Sequence, residues 1–265
     1  MEKTIFDFFT LHFKIFFLVF IRITALYFTA PFFSNTDIPS YIRAGFAFFT
    51  ALIVYPVVNE YIPLYPDVNA TAFFINVLNQ VIIRVIIGII AQIFYLIIQV
   101  SGQYYTMQIG FGMINTLDPM SMIEVSIIGS FQGVIGLMLF LLIGGHHFLI
   151  YAIVKSFSFF PLFNMSLAAF TAESMTDIVS KMFYLGFMYS IPVMGIIFIM
   201  TLILGILAKI APQMNLLMLG FPLNILVGLS MLLILQSILF EISRDIFANM
   251  FEYINQFLNV AKKYA

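Results

Sequence analysis

The chain has 265 residues, of which 63% are hydrophobic and only 9% charged, with a formal net charge of −1. Soluble domains carry about 25% charged residues, so this composition excludes a soluble globular fold and predicts an all-α integral membrane protein. The near-neutral charge, without a basic block, argues against nucleic acid as a partner, and the absence of Cys excludes disulfides and cysteine-based zinc sites.

Six apolar segments predict six helical spans, because a helix needs about 20 residues to cross a bilayer. The first two are expected at about 11–33, despite Lys14 and Arg22, and at about 42–58, closing at Pro56. Four further segments contain no Asp, Glu, Lys or Arg: 85–117, 125–154, 182–208 and 210–240. The polar stretches 59–69 and 172–181 have the length of loops, so no soluble domain is expected.

Arg84 lies at the start of the third apolar segment. An Arg at the centre of a span costs on the order of 3 kcal/mol, so we expect the Arg84 side chain to snorkel near a helix end. Gln92 and Gln99 are seven residues apart and share one helical face, which predicts a stripe that faces protein.

Residues 101–119 form the first polar interruption of an apolar run. Gly102, Gly110 and Gly112 weaken a helix, and Asp118-Pro119 favours a turn. We therefore expect a re-entrant loop or plug in which bulky side chains lie on one side of an extended segment and seal a pore. These side chains are Met107, Ile109, Phe111 and Met113. The alternative is a Gly-rich helix packed closely on a neighbour.

Gly144, Gly145, His146 and His147 form a second notable motif. Adjacent histidines point in different directions from a helix, and no acidic residue is near in sequence, so no metal and no cofactor is expected. The motif instead indicates a pair of polar residues at a helix end beside glycine. Ser156 and Ser158 follow without a glycine elbow, so the sequence offers no catalytic set for an enzyme.

The segment from Ala211 to Asn215 reads Ala-Pro-Gln-Met-Asn and follows Lys209. Pro212 removes a backbone donor, and Gln213 and Asn215 carry amides that hydrocarbon cannot solvate. Such a segment is stable only against other protein or a watery cavity, which indicates a conduit or an assembly. Arg84 and Lys209 each precede a polar interruption, an arrangement also found at the substrate sites of secondary transporters.

Several motifs occur in an order that resembles the FliR family of flagellar biosynthetic proteins. They are Arg22 with Pro31 and Pro39, Ser101-Gly102, Gln108 to Gly110, Asp118-Pro119, Gly144 to His147, Ser156-Phe157 with Pro161, Ala211 to Asn215, and Gly220 to Pro222. Two positions depart from the family pattern, since Lys209 stands where Arg is common and Asn224 where Lys is common. Members are implied to be all-α membrane proteins whose helices form hairpins within a helical hetero-oligomeric gate.

The resemblance implies a structural subunit of the flagellar type III export gate in the bacterial inner membrane and basal body. Its partners would be FliP and FliQ in the gate, FlhB and FlhA beside it, unfolded flagellar export substrates within it, and membrane lipid around it. Residues 1–265 would form a single domain with a FliP-like part at about 1–170 and a FliQ-like part at about 171–265. The plug loop would lie at about 104–117.

The same resemblance implies that Arg84 and Lys209 meet groups on neighbouring subunits. It assigns structural or assembly roles to Asp118, Pro119, Gly144, Gly145, His146, His147, Lys209, Ala211, Pro212, Gln213, Met214, Asn215 and Pro222. Three alternatives stay open: the corresponding gate subunit of a virulence injectisome, a secondary transporter, and an intramembrane enzyme.

Overall fold

A computed structural model describes residues 2–33, 38–59, 70–110, 126–159, 172–211 and 216–264. These residues fold into helices without any strand, which confirms the all-α prediction. In chain order the helices are α1 Glu2–Thr29, α2 Ser40–Asn59, α3 Ala70–Ile109, α4 Ile127–Leu142, α5 Gly145–Phe159, α6 Ala172–Ile210, α7 Leu216–Ile234 and α8 Gln236–Tyr264.

Four helices contain stretches that are long and apolar enough to cross a membrane, namely His12–Thr29, Ser40–Val58, Val85–Ile109 and Thr176–Ile210. The remaining apolar sequence forms two bent pairs, α4 with α5 at 61° and α7 with α8 at 62°. By length and composition, the described residues therefore allow four crossings, or six if each bent pair forms one span. The integral membrane prediction is confirmed.

The apolar runs 125–154 and 210–240 each contain a break between two described helices. The first run breaks at Gly144, whose φ of 75° lies in the left-handed region that glycine adopts without strain. The second breaks at Leu235, where uncharged α7 gives way to α8. That helix has a buried apolar face and an exposed face that includes Glu241 and Arg244.

Two predicted boundaries also differ from the structure. Residues 172–181 were predicted to be a loop, but α6 begins at Ala172. An ion pair between Lys181 and Asp177, 2.9 Å apart and one turn from each other, stabilises this exposed polar turn of helix. Likewise α2 does not close at Pro56 but ends at Asn59, because a proline removes one helical hydrogen bond without ending the last turn.

The chain divides into two units, each described separately. Unit 1 comprises residues 1–92, 144–176 and 249–265. In it α1 packs on α2 through aromatic side chains, with Phe16 edge-on to Phe48 at 5.7 Å between ring centres. A hydrogen bond of 2.6 Å joins His12 Nδ1 and the Tyr55 hydroxyl. The Arg22 side chain is fully buried, with its Cζ atom 3.6 Å from the centre of the Phe157 ring on α5.

Unit 2 comprises residues 93–143 and 177–248. Here the second half of α3 packs closely on α4, since a Cβ atom on Gly102 would lie 2.5 Å from the Cα atom of Gly129. Further along the same contact, a Cβ atom on Gly133 would lie 3.1 Å from the Tyr95 hydroxyl. This contact confirms, for the region of Gly102, the alternative of a Gly-rich helix against a neighbour. Gln99 also lies against Gly133, as the protein-facing prediction requires.

Candidate functional site

The candidate site in unit 2 begins where α3 ends, at the start of the predicted plug. The helix continues to Ile109, and Gly110 follows with a φ of 105°, a conformation that favours glycine. The Gly110 amide donates to the carbonyl of Met107 at 3.3 Å, which tightens the last turn. Gly110 thus turns the chain out of the helix.

Met107 and Ile109 do not lie on one side of an extended segment, so that part of the plug prediction is wrong. Both belong to the last turn of α3, where residues two apart point to different faces. Met107 is 77% exposed, whereas Ile109 is completely buried. Phe111 and Met113, together with Asp118 and Pro119, lie outside the described residues.

The buried face at the end of α3 rests on α7. A Cβ atom on Gly228 would lie 2.5 Å from Cγ1 of Ile109, so only glycine leaves room for that side chain. A Cβ atom on Gly110 would lie 3.1 Å from the Phe221 ring. The neighbouring Pro222 lies inside α7 and is exposed. The start of the predicted plug is therefore fixed against a second helix of the same unit.

Residue Ser126, which follows the undescribed segment 111–125, is held to the same end of α3. Ser126 is the N-cap of α4, and its side chain accepts a hydrogen bond from the Gly129 amide at 2.8 Å. The Ser126 Oγ atom also lies 2.8 Å from Oγ1 of Thr106, and Thr106 donates to the carbonyl of Gly102 on its own helix. The two described residues that flank segment 111–125, Gly110 and Ser126, thus lie at positions one helical turn apart along α3.

The motif of two glycines and two histidines lies at a helix start, as predicted. Gly144 has a φ of 75° and α5 begins at Gly145. The imidazole rings of His146 and His147 do not diverge, because their centres are 4.0 Å apart and their planes are tilted by 39°. Within the described part of the chain, no third His, Cys, Asp or Glu joins them in a group that could hold a metal ion.

The second predicted interruption follows α6, whose last turn carries Lys209. Lys209 is exposed and makes no ion pair with any residue that the structure describes. The Ala211 amide donates to the Leu207 carbonyl at 2.9 Å, which extends the helical bonding by one residue. Pro212, Gln213, Met214 and Asn215 lie outside the described residues. The other predicted base, Arg84, does not lie near a helix end as predicted, because α3 begins at Ala70; it directly precedes the apolar stretch Val85–Ile109.

Sequence reasoning missed a group of buried polar residues close to the predicted plug. Gln132 on α4 is fully buried, as is Tyr105 on α3. Tyr189 and Ser243 bring α6 and α8 together through a hydrogen bond of 3.0 Å. The available signal was weak: Gln132 is a lone amide in an uncharged run, and tyrosine is common at membrane surfaces.

Comparison with known proteins gives one family and several relatives that share a single name. The family described as Bacterial export proteins, family 1, matches residues 13–250. The flagellar biosynthetic protein FliR of Bacillus subtilis is 32% identical over 253 residues, which cover 93% of this chain and 95% of that protein. The FliR proteins of Aquifex aeolicus and Escherichia coli are each 26% identical, over 246 and 236 residues. Those alignments cover 92% and 88% of this chain, and 94% and 88% of the respective relatives.

Proposed function

The chain belongs to the FliR-type bacterial export proteins of family 1, and from this premise we propose that it forms and plugs the channel of the flagellar type III export gate. The family consists of structural proteins of the export apparatus, so the chain is a membrane-embedded component of flagellar protein export. The proposal adds a location in the bacterial inner membrane, within the flagellar basal body.

One observation carries the plugging role. The described chain turns out of α3 at Gly110, and Ser126, the next described residue, lies 2.8 Å from Thr106, one turn before Gly110. Chain ends held at one place on packed helices favour a connection that projects as a loop, and we propose such a loop for 111–125. Met107, at the base of this loop, is 77% exposed, and its flexible apolar side chain suits a seal of changing shape.

The plug itself would consist of Met107, Ile109, Phe111 and Met113, with Ile109 acting as its buried anchor. Asp118 and Pro119 would turn the chain back toward α4. To test this, residues 111–117 are replaced by an equal number of Gly and Ser residues, which leaves both anchors in place. We expect gates that assemble but leak ions. Cells as tight as wild type would contradict the plug, and Met138→Ala, at an exposed Met on α4, is the control.

The channel role requires partner subunits, and the exposed surface of α6 supports their presence. This helix is apolar over Thr176–Ile210, yet only 17% of that stretch is buried within the chain. We propose FliP and FliQ as the subunits of the gate, with FlhB and FlhA at its cytoplasmic side and lipid around it. Unfolded flagellar subunits would be the transported substrates. A FliP-like part at 1–170 and a FliQ-like part at 171–265 remain part of this proposal.

The first experiment is purification of the complex that contains this chain, tagged at its C-terminus, from native membranes in mild detergent. Recovery with FliP and FliQ supports the gate assignment. Recovery with injectisome homologues instead assigns the chain to virulence secretion. A monomer or homodimer from cells that express FliP and FliQ contradicts the gate and favours a secondary transporter.

A further inference from the structure

Several polar side chains of unit 2 are buried and form a cluster. Its members are Ser101 and Tyr105 on α3, Gln132 on α4, Tyr189 on α6 and Ser243 on α8, none more than 2% exposed. Polar groups at such depth are stable only when their hydrogen bonds are made. The members of this cluster differ in whether their hydrogen bonds are made.

One half of the cluster is satisfied by the protein itself. Ser243 Oγ lies 3.0 Å from the Tyr189 hydroxyl and 2.7 Å from the Leu239 carbonyl oxygen. Ser101 donates to the Ile98 carbonyl at 2.6 Å. These bonds give the hydroxyl groups of Ser101, Ser243 and Tyr189 partners inside the protein.

The other half is not satisfied. The Tyr105 hydroxyl lies beside the side chains of Ser101 and Gln132. It forms no hydrogen bond of normal geometry with any residue that the structure describes, and the same holds for both Oε1 and Nε2 of Gln132. Both side chains are completely buried. A buried polar group without a partner is strongly unfavourable, so we expect a ligand to bind the Tyr105 hydroxyl and the Gln132 amide.

The chemistry of these atoms selects the ligand. Nε2 of Gln132 is a donor, Oε1 is an acceptor, and the Tyr105 hydroxyl can act as either. A cation would be repelled by the amide N–H groups and an anion by the carbonyl oxygen. A water molecule both donates and accepts, and buried waters typically make about three hydrogen bonds to such groups.

We propose that an internal water molecule binds between Tyr105 and Gln132 and bridges α3 to α4 in the core of unit 2. Tyr105 lies one turn before Ile109 on the same buried face of α3. The water thus fastens the last turns of α3 by polar contacts, beside the apolar contact of Ile109 with Gly228. This inference depends only on the described core and is independent of the proposed export function.

Two single variants and their combination test the proposal in the purified native complex. With the water present, Tyr105→Phe and Gln132→Met should each lower the Tm by about 2–4 °C, because each leaves other polar groups unsatisfied. The double variant removes the whole site, so its loss should be smaller than the sum of the two. Without water, each single variant removes only unpaired polar atoms, and an unchanged or raised Tm would overturn the proposal. Tyr189→Phe, which loses the bond to Ser243, is the positive control and should lower the Tm.

A high-resolution map of the complex provides the direct test. We expect a density peak within hydrogen-bond distance of the Tyr105 hydroxyl and the Gln132 amide, and its loss in the double variant. A direct bond between Tyr105 and Gln132, with no peak beside them, would explain lower Tm values without water and would overturn the proposal.

Discussion

The two interruptions of the apolar sequence in unit 2 are supported in opposite ways. Around the first, between α3 and α4, both flanking ends are fixed inside the chain by the close contact of Gly102 with Gly129 and by the bond between Thr106 and Ser126. Before the second, α6 is largely exposed, and Lys209 in its last turn has no ion-pair partner among the residues described.

The two interruptions should therefore respond differently to substitution. The first interruption is specified by contacts within the chain, so its anchors should be sensitive to changes in packing even when the chain is studied alone. The second is preceded by an apolar helix and by a charge that pairs with none of the described residues, which fits the lipid and partner subunits proposed above. Substitutions there should change assembly and leave the stability of the chain nearly unaltered.

Gly102→Leu should have the largest effect. A Cβ atom at this position would lie 2.5 Å from the Cα atom of Gly129, and two helix backbones cannot move apart without losing the contact. We expect a loss of about 3 kcal/mol in the free energy of unfolding of the chain in detergent. Gly45→Leu is the control, because the space beside Gly45 is open. Equal losses in both variants would show that the first interruption is not fixed by this contact.

Lys209→Leu should reduce the recovery of partner subunits by about tenfold, since a lost charge-assisted hydrogen bond has that effect on an equilibrium. The thermal stability of the isolated chain should not change. Lys181→Leu on the same helix is the control, because Lys181 already pairs with Asp177 in this chain. The measurement is quantitative co-purification. If partner recovery and motility stay unchanged, Lys209 has no role in assembly.

Ser126→Ala should lower the free energy of unfolding by about 1 kcal/mol through loss of the N-cap. It also breaks the bond to Thr106, so protease cleavage within 111–125 should become faster. Ser158→Ala serves as control, since Ser158 donates to the Lys155 carbonyl in its own helix and does not cap a helix. Cleavage at the wild-type rate would mean that Ser126 does not hold the ends of the first interruption together.

Gly195→Ala should have the smallest effect and the opposite sign. Outside its own stretch of helix, no atom of the described residues lies within 4 Å of a Cβ at this position, and alanine is the better helix former. The isolated chain should gain about 0.5–1 kcal/mol in its free energy of unfolding. In the assembled complex the gain should disappear, because the added methyl group would meet a neighbouring helix. The same gain in both states would show that no subunit covers this face of α6.

Sequence reasoning predicted the features that depend on composition and local chemistry. The uncharged runs predicted apolar helices, and Gly144 marked the position where one run breaks. The first interruption was placed at 101–119, and α3 indeed ends inside that range, at Ile109. The roles of the predicted plug and assembly residues stay predictions.

The remaining features depend on contacts between distant parts of the chain. Gly102 lowers the intrinsic stability of a helix, yet α3 continues through it because the missing side chain permits the contact with Gly129. Residues 172–181 read as a loop because they are polar, but an exposed helix can be equally polar. The burial of Gln132 beside Tyr105 depends on how α3 and α4 pack, and a local sequence pattern does not predict that packing.

The bond between Thr106 and Ser126 should make the segment between them tolerant of inserted residues. When both ends of a loop are fixed at one place, lengthening it mainly raises the entropic cost of closing the loop, by about 0.6 kcal/mol for each doubling in length. The helices beside it need not move to accommodate extra residues. A short epitope inserted after residue 113 should therefore leave the described helices intact even where it disturbs the proposed plug, so that folding and plugging can be measured separately.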